Sequence, residues 1–221
     1  MLRDGRRAVR AREVRTPKNE GKFIEALVAL VSALSGRHPV RAIGIGAAGI
    51  VKGTTLVFSP NIPFIHDFDF RPLWPRSVRL RVDNDARCFA RAELLKGVGR
   101  GAKSFFALTI GTGVGRAYGR NGKIVRVKRF EYPEFWEEKY QRVRDRRNDG
   151  KLADLLGWRL VPLIAPYEPE IIVAGGGVME GRGFLRQLRR SFKAHGLGAS
   201  VLRSRLGKNA VAIGAAVLFR D

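Results

Sequence analysis

Three clusters of glycine follow directly on runs of apolar residues in this 221-residue chain, and they limit the folds open to it. The clusters are "GIGAAG" (residues 44–49), "GTGVG" (residues 111–115) and "GGG" (residues 175–177). A backbone that turns on glycine can approach a ligand closely, because no Cβ stands in the way. In sheets flanked by helices, the turns at the strand ends line the crevice where ligands bind. The pattern therefore predicts an α/β protein with ligand-binding turns.

The first cluster has the letters of a dinucleotide-binding turn, G-x-G-x-x-G. That motif requires a strand before it and a helix directly after it. Residues 50–58, "IVKGTTLVF", are instead rich in β-branched residues on both sides of Gly53, which predicts a hairpin. The predicted hairpin argues against a dinucleotide site at this turn.

The rest of the chain alternates between helical and strand patterns. Helices are predicted at residues 19–36, 86–96, 152–165, 183–194 and 209–219, and strands at 8–15, 40–45, 78–82, 105–110 and 171–174. The pair Asn121-Gly122 in "RNGK" predicts a tight hairpin turn after the second glycine cluster. Because the alternation occurs in two successive series, we expect two α/β lobes.

Composition narrows the set of partners. The chain has 42 Lys and Arg against 20 Asp and Glu, a formal net charge of +22, which attracts polyanions. The charge is scattered, however, and its one dense run, residues 141–151, has no interleaved aromatic residues, so we expect no dedicated nucleic-acid partner. No apolar run reaches the length of a membrane span, so no membrane partner is expected. The single cysteine, Cys88, excludes an internal disulfide and a Cys-rich zinc site, and it fits a cytoplasmic location.

An acidic turn, "LRVDNDARCF", ends one predicted strand and opens the next helix. Asp85 at the carboxyl end of the strand is placed to take a proton from a substrate hydroxyl, and Asn84 to hydrogen-bond neighbouring hydroxyls. The alternative is that Asn84 or Asp85 caps the helix. Neither has Glu or Gln three residues later, so no capping box supports that alternative.

The two later glycine clusters have the character of anion sites. In "GTGVG", backbone N–H groups and the Thr112 hydroxyl form a concavity suited to phosphate, the alternative being a glycine-bulged hairpin. In "IIVAGGGVM", the glycines lie between a strand and a helix, the alternative being a tight turn without a ligand. No G-K-[ST] sequence is present, which excludes a P-loop nucleotide site.

Taken together, in this order and spacing, the segments resemble the ROK family (repressor, open reading frame, kinase), whose sugar kinases belong to the actin-like ATPase superfamily. The resemblance runs from about Arg3 to the C-terminus. The segments "GIGAAGIVKG" and "SPNIPF" are similar to the family's sugar-side segments. The segment "VDNDARCFARAELLKGVGRGAKSFFALTIGTGVG" is similar to its N-D-A helix and second phosphate loop. The segments "EPEIIVAGGGV" and "SRLGKNAVAIGAAVLF" are similar to its adenosine-site turn and its terminal helix.

The resemblance implies a two-lobed actin-like ATPase (ribonuclease H-like) fold, with a sugar-side lobe of residues 1–96 plus 208–221 and a nucleotide-side lobe of residues 97–207. It implies an ATP-dependent hexokinase or glucokinase that uses ATP and Mg²⁺, and it is compatible with a homodimer. Asp85 would be the catalytic base. Gly49, Asn61, Asn84 and Glu134 would bind the hexose, and Gly111, Thr112, Gly113, Gly115, Gly175, Gly176 and Gly177 would bind the nucleotide.

The chain also departs from the family pattern. No D-x-G-x-T phosphate loop precedes Arg3, so we expect an N-terminally truncated version of the fold. No histidine follows Glu131 or Glu134 as the family's E-x-G-H motif would require, and "RVRDRRNDG" occupies the approximate place of its zinc loop, so no metal site is expected in the protein itself. Two alternatives therefore stay open, a non-catalytic sugar- or nucleotide-binding protein of the same fold and, less favoured, a transcriptional regulator of the same family.

Overall fold

The computed structural model of the protein describes residues 2–3, 7–8, 10–181 and 183–220. The chain divides into two compact units, one of Met1–Cys88 with Val211–Asp221 and the other of Phe89–Ala210. The expected lobe limits near residues 96 and 208 stay a prediction. Within the described ranges, every helix is too short or too polar to cross a lipid bilayer.

Helices and strands alternate along the chain. The strands, in chain order, are β1 (Leu2–Arg3), β2 (Arg7–Ala8), β3 (Ala42–Ala47), β4 (Ile50–Lys52), β5 (Thr55–Phe58), β6 (His66–Asp69), β7 (Arg79–Asn84), β8 (Ser104–Ile110), β9 (Val114–Arg120), β10 (Lys123–Val125), β11 (Ile171–Gly175) and β12 (Ser200–Arg203). The helices are α1 (Glu20–Ser35), α2 (Asp85–Lys96), α3 (Glu137–Asp145), α4 (Asp149–Ile164), α5 (Phe184–Ala194) and α6 (Ala210–Ala216).

In the first unit, short sheets surround an aromatic core. β3 pairs parallel with β7, and β4, β5 and β6 form an antiparallel sheet. Helix α1 covers this core with Phe23, whose ring lies 5.7 Å from that of Phe68. The helix begins because Asn19 Oδ1 accepts a backbone N–H of the first turn, and it ends at Gly36, where φ is +58°. The predicted helix at residues 19–36 is confirmed.

The glycines of the first cluster serve packing. Gly44 and Gly46 lie two residues apart on β3 and so share one face of the strand. A Cβ at Gly44 would collide with the backbone carbonyl of Ala215 in α6, and a Cβ at Gly46 would lie 2.7 Å from the Val211 side chain. Helix α6 therefore sits on β3 at a distance that only glycine allows. The hairpin β4–β5 follows in place of a helix, so the predicted hairpin after "GIGAAG" is confirmed.

The second unit is built on a mixed five-stranded sheet in the order β10-β9-β8-β11-β12. β11 pairs parallel with both β8 and β12, whereas β9 pairs antiparallel with both β8 and β10. Helices α4 and α5 cover one face, where Leu156 and Phe192 join the core, and on the other face Leu94 of α2 contacts the region of Gly119. The β9–β10 turn has φ of +52° at Asn121 and +76° at Gly122, which confirms the predicted tight turn.

Some predicted element bounds were wrong. Residues 10–16 form no strand, because no neighbouring strand pairs with them, and Val14 stays 56% exposed. The helix predicted at residues 152–165 begins earlier, since the Asn148 side chain accepts the N–H of Lys151, and it carries Pro162 in its last turn. The last helix ends at Ala216, and a short 3-10 turn follows at Leu218–Arg220.

We predict that Gly44→Ala lowers the free energy of unfolding by about 1–3 kcal/mol, because the added methyl group forces α6 away from β3. Gly21→Ala is the matched control. Gly21 lies exposed in α1, and a Cβ there would lie 3.8 Å from its nearest neighbour, Asn19 Oδ1. Because alanine loses less backbone entropy than glycine on folding, Gly21→Ala should stabilise the fold by about 0.5–1 kcal/mol. Urea unfolding followed by circular dichroism measures both. Equal stability of Gly44→Ala and the unsubstituted protein would show that α6 does not depend on this contact.

Candidate functional site

The acidic turn joins the end of β7 to the start of α2. Asp85 is the first residue of α2 and is half-buried. Its Oδ1 accepts the N–H of Ala86 at 2.8 Å, and its Oδ2 accepts no hydrogen bond from the described residues. Burial raises the pKa of Asp85, since a carboxylate loses hydration there. This effect outweighs the backbone hydrogen bonds of Ala86 and of Asp85 itself and the charge of Arg87, all of which lower the pKa. A carboxylate with a raised pKa and a free oxygen is suited to accept a proton.

Asn84 has a structural role beside Asp85. Its Oδ1 accepts the N–H groups of Ala86 at 3.0 Å and Arg87 at 3.2 Å, so Asn84 caps α2 as the alternative interpretation proposed. Its Nδ2 donates to the carbonyl oxygen of Gly49 at 2.9 Å, which leaves one N–H of the amide for a ligand. Asp83 is paired with Arg87 one helical turn away.

Gly49 lies in the turn between β3 and β4 and is held to the acidic turn by Asn84. Its φ is +135°, and a Cβ there would collide with the carbonyl of Phe58, so no other residue fits. Asn61 lies exposed on the β5–β6 loop, and no hydrogen bond among the described residues involves its side chain. The structure therefore brings Gly49, Asn84 and Asp85 together, and no side-chain hydrogen bond among the described residues links Asn61 to them.

Glu134 lies in the second unit, before α3. Its carboxylate accepts a hydrogen bond from Arg129 Nε at 3.1 Å, and its side chain is 15% exposed. Its backbone N–H donates to Glu137 Oε1 at 3.0 Å. Glu134 is thus held in place by two neighbours, and one of its oxygens already has a partner.

The tip of the β8–β9 hairpin consists of Gly111, Thr112 and Gly113. The N–H of Gly111 donates across the tip to the carbonyl of Gly113 at 3.0 Å. Thr112 is exposed, and a Cβ at Gly111 would meet open space. Gly115 lies within β9, opposite Thr109, and so belongs to the ladder rather than to the tip.

The third glycine cluster lies beside this tip. β11 runs parallel to β8 with Gly175 opposite Thr109, so both glycine turns occupy the same edge of the sheet, at the carboxyl ends of parallel strands. Gly176 has φ of +96°, and a Cβ there would collide with the carbonyl of Ile110. A Cβ at Gly177 would meet open space. Nucleotides bind to α/β proteins in a crevice at the carboxyl ends of the parallel strands, where the backbone turns closely and leaves open space. The turn at Gly176 and Gly177 has both features.

The residues present fit a nucleoside triphosphate. The N–H groups of Thr112 and Gly113 donate to no acceptor within the described ranges, which leaves two adjacent donors for phosphate oxygens. Among the described residues, no group of three or more His, Cys, Asp or Glu side chains could hold a metal ion. Mg²⁺ in phosphoryl-transfer sites takes most of its ligands from phosphates and water, so it does not need such a group.

Sequence reasoning missed a buried ion pair next to the tip. Arg116 shares a face of β9 with the core residues Val114 and Tyr118, and its Nη2 donates to Glu137 Oε1 at 2.9 Å and to the carbonyl of Tyr132 at 2.9 Å. The period-two pattern V-x-R-x-Y could have predicted this ion pair, because it places an arginine on the buried face of the strand, where its charge requires a carboxylate partner.

Comparisons of the sequence and of the structure with known proteins both find members of the ROK family. The sequence profile of the ROK family matches residues 1–129. A glucokinase of Streptomyces coelicolor is 25% identical over 287 aligned residues, which cover 95% of this chain and 89% of that protein. A beta-glucoside kinase of Klebsiella pneumoniae is 25% identical over 278 residues, covering 100% and 91%. The crystal structure of a ROK family glucokinase from Streptomyces griseus in complex with glucose and AMPPNP superposes with a TM-score of 0.78 at 26% identity, covering 93% of this chain and 89% of that one.

We predict that Asp85→Asn stabilises the folded protein at neutral pH by about 1 kcal/mol, since the uncharged amide avoids the desolvation of a carboxylate. The folded-state pKa of Asp85 lies above its unfolded value, so the folded protein binds this proton more tightly. The ionised Asp85 therefore destabilises the folded protein fully at pH values above its folded-state pKa, and this effect fades as the pH falls towards its unfolded-state pKa. Thermal unfolding from pH 8 to pH 4 measures the difference between the two proteins.

The matched control is Asp154→Asn, which makes the same chemical change at an exposed position of α4. It should leave the pH dependence of stability unaltered. A lower melting temperature for Asp85→Asn than for the unsubstituted protein at pH 8 would contradict the assignment of a desolvated carboxylate.

Proposed function

The chain belongs to the ROK family, and we propose that it is a sugar kinase that transfers the γ-phosphoryl group of ATP to a hexose. The fold is the α/β fold of the ROK kinases, as the superposition on the Streptomyces griseus glucokinase shows. The observation that carries the proposal is Asp85, a carboxylate at the end of a strand with a raised pKa and a free oxygen.

Asp85 is the base in this proposal. As the sugar hydroxyl oxygen bonds to the γ-phosphorus, its proton passes to Asp85 Oδ2, and the bond from that phosphorus to the bridging oxygen of ADP breaks. The helix start does not need Asp85 for its cap, because Asn84 already accepts two N–H groups there. The carboxylate is therefore available for the proton.

The sugar would be held mainly by backbone and amide groups near Asp85. Asn84 fixes the Gly49 carbonyl and keeps one N–H for a sugar hydroxyl. Asn61 and Glu134 complete the set that the resemblance implies. The carboxylate of Glu134 accepts from Arg129, so it would offer its second oxygen to the sugar.

The nucleotide would bind at the sheet edge of the second unit. The N–H groups of Thr112 and Gly113 would bind phosphate oxygens, and the turn at Gly175, Gly176 and Gly177 would bind the adenosine, with Gly115 supporting the hairpin from within β9. Mg²⁺, bound by the phosphates, would neutralise the charge that develops on them. The net charge of +22 also favours the approach of a polyanionic substrate.

A coupled assay that follows ADP formation over a panel of hexoses and amino sugars tests the proposal. We predict that Asp85→Asn lowers kcat by about 10²–10⁴, the contribution of a positioned base, while the KM of the sugar changes little because the hydrogen bonds of the site remain. Asp154→Asn serves again as the control and should keep full turnover. Equal turnover of Asp85→Asn and the unsubstituted protein would remove Asp85 from the role of base.

A second candidate is a sugar- or nucleotide-binding protein of the same fold without catalysis. The carboxylate of Glu134 favours it, since its ion pair with Arg129 weakens its use as a sugar ligand. Calorimetric binding of ATP and of hexose without ADP formation would support this second candidate over the kinase.

A further inference from the structure

One face of α3 is directed at the tip of the β8–β9 hairpin. Tyr140 and Arg144 lie four residues apart and so share this face. The Tyr140 hydroxyl donates to the carbonyl of Gly111 at 2.7 Å. Arg144 Nη1 donates to the carbonyl of Gly111 at 2.9 Å and to that of Thr112 at 2.7 Å. Two consecutive carbonyls of the tip are thus bound by side chains of one helix.

This arrangement fixes the direction of the two free N–H groups. The Gly111 carbonyl and the Thr112 N–H belong to one planar trans peptide, in which C=O and N–H point in opposite directions. The Thr112 carbonyl and the Gly113 N–H are related in the same way. Because both carbonyls are held towards α3, both N–H groups are directed away from it, as a pair. Without this restraint, the flanking glycines would allow either peptide to rotate and present a carbonyl, which repels phosphate.

The two side chains are themselves held rigidly. Arg144 donates from Nε at 2.9 Å and from Nη2 at 2.7 Å to Asp145 Oδ1, so its guanidinium has partners on both sides. Tyr140 is fully buried, and burial raises its pKa to about 12, so its hydroxyl keeps the proton that it donates. At the other end of α3, Glu137 binds the buried Arg116 of β9. The helix is therefore attached to the hairpin along its whole length.

We propose that Tyr140 and Arg144 are positioning residues for phosphate binding, which hold the Gly111–Thr112 and Thr112–Gly113 peptides so that their N–H groups face the phosphates of ATP. This inference rests on the proposed function for the identity of the ligand. It assigns to α3 a role in nucleotide affinity through backbone orientation, without direct contact between its side chains and the nucleotide.

The test compares the affinities of purified variants for ATP and for adenosine by isothermal titration calorimetry. Arg144→Ala should weaken ATP binding by about tenfold or more, since it releases two charge-assisted hydrogen bonds, and should change adenosine binding less than twofold. Arg142→Ala is the matched control, because it removes the same charge from an exposed position of the same helix, and it should leave both affinities unchanged.

Two further variants separate orientation from charge. Arg144→Lys keeps the charge on a flexible stem without the planar fork, so most of the loss should persist, whereas full recovery with lysine would overturn the proposal in favour of simple charge attraction. Tyr140→Phe removes one hydroxyl and keeps the ring, so it should weaken ATP binding by about two- to tenfold. If thermal unfolding shows that Arg144→Ala does not fold, Tyr140→Phe decides the test.

The outcomes also distinguish this inference from the proposed function. ATP binding without sugar phosphorylation would reject the kinase and still allow the variants to be compared. If the unsubstituted protein binds ATP and Arg144→Ala binds it equally well, the positioning role is wrong while the kinase stands. Parallel loss of ATP and adenosine affinity would also overturn the proposal, because peptide orientation at the hairpin tip acts on the phosphates alone. If the unsubstituted protein binds no ATP, the kinase function and the positioning role are both rejected.

Discussion

The parallel pairing of β8 with β11 is the constraint on which the nucleotide side of this protein depends. It places Gly175 opposite Thr109, so two glycine turns that are far apart in the sequence meet at one edge of the sheet. The approach is so close that Gly176 cannot carry a Cβ beside the carbonyl of Ile110. A bulkier residue would separate the turns, and the tip that we propose to bind phosphate would lose its neighbour. The site thus follows from strand register and only secondarily from the chemistry of its residues.

In the proposed sugar site, two adjacent residues at the start of α2 have different roles: Asn84 caps the helix, and Asp85 is the proposed base. A helix start needs acceptors for its free N–H groups, and Asn84 supplies them from a buried amide. Asp85 is then left with a raised pKa, which costs stability and suits it to the role of base that we propose. The same Asn84 side chain holds the Gly49 carbonyl, so one residue organises both the helix start and the pocket wall.

Local signals in the sequence predicted local structure well. The helical pattern of residues 19–36 predicted α1, and Asn121-Gly122 predicted the β9–β10 turn, because each signal acts within a few residues. The strand expected at residues 8–15 does not form at residues 10–15, because pairing requires a distant partner that alternation alone cannot supply, and residue 9 lies outside the described residues. Alternation of helix and strand patterns predicted two α/β lobes, and the place of Asp85 at a strand end made it a candidate base; the family resemblance added the actin-like ATPase form of the fold and the sugar as substrate. The role of Arg144 was hidden, since in the charged run "QRVRDRRNDGK" it is indistinguishable by pattern from solvent-exposed neighbours such as Arg142.

The segment that contains Arg144 stands at the approximate place where the family resemblance would put a zinc loop. A metal ion orders a loop by coordination bonds, whereas α3 is attached by charge-assisted hydrogen bonds and by the buried Arg116–Glu137 pair. Such bonds are directional, and here they end on backbone carbonyls rather than on side chains. The order they create is therefore transmitted directly to the peptide planes of Thr112 and Gly113. A helix with a correctly spaced Tyr and Arg can in this way control the orientation of a phosphate-binding turn without any metal of its own.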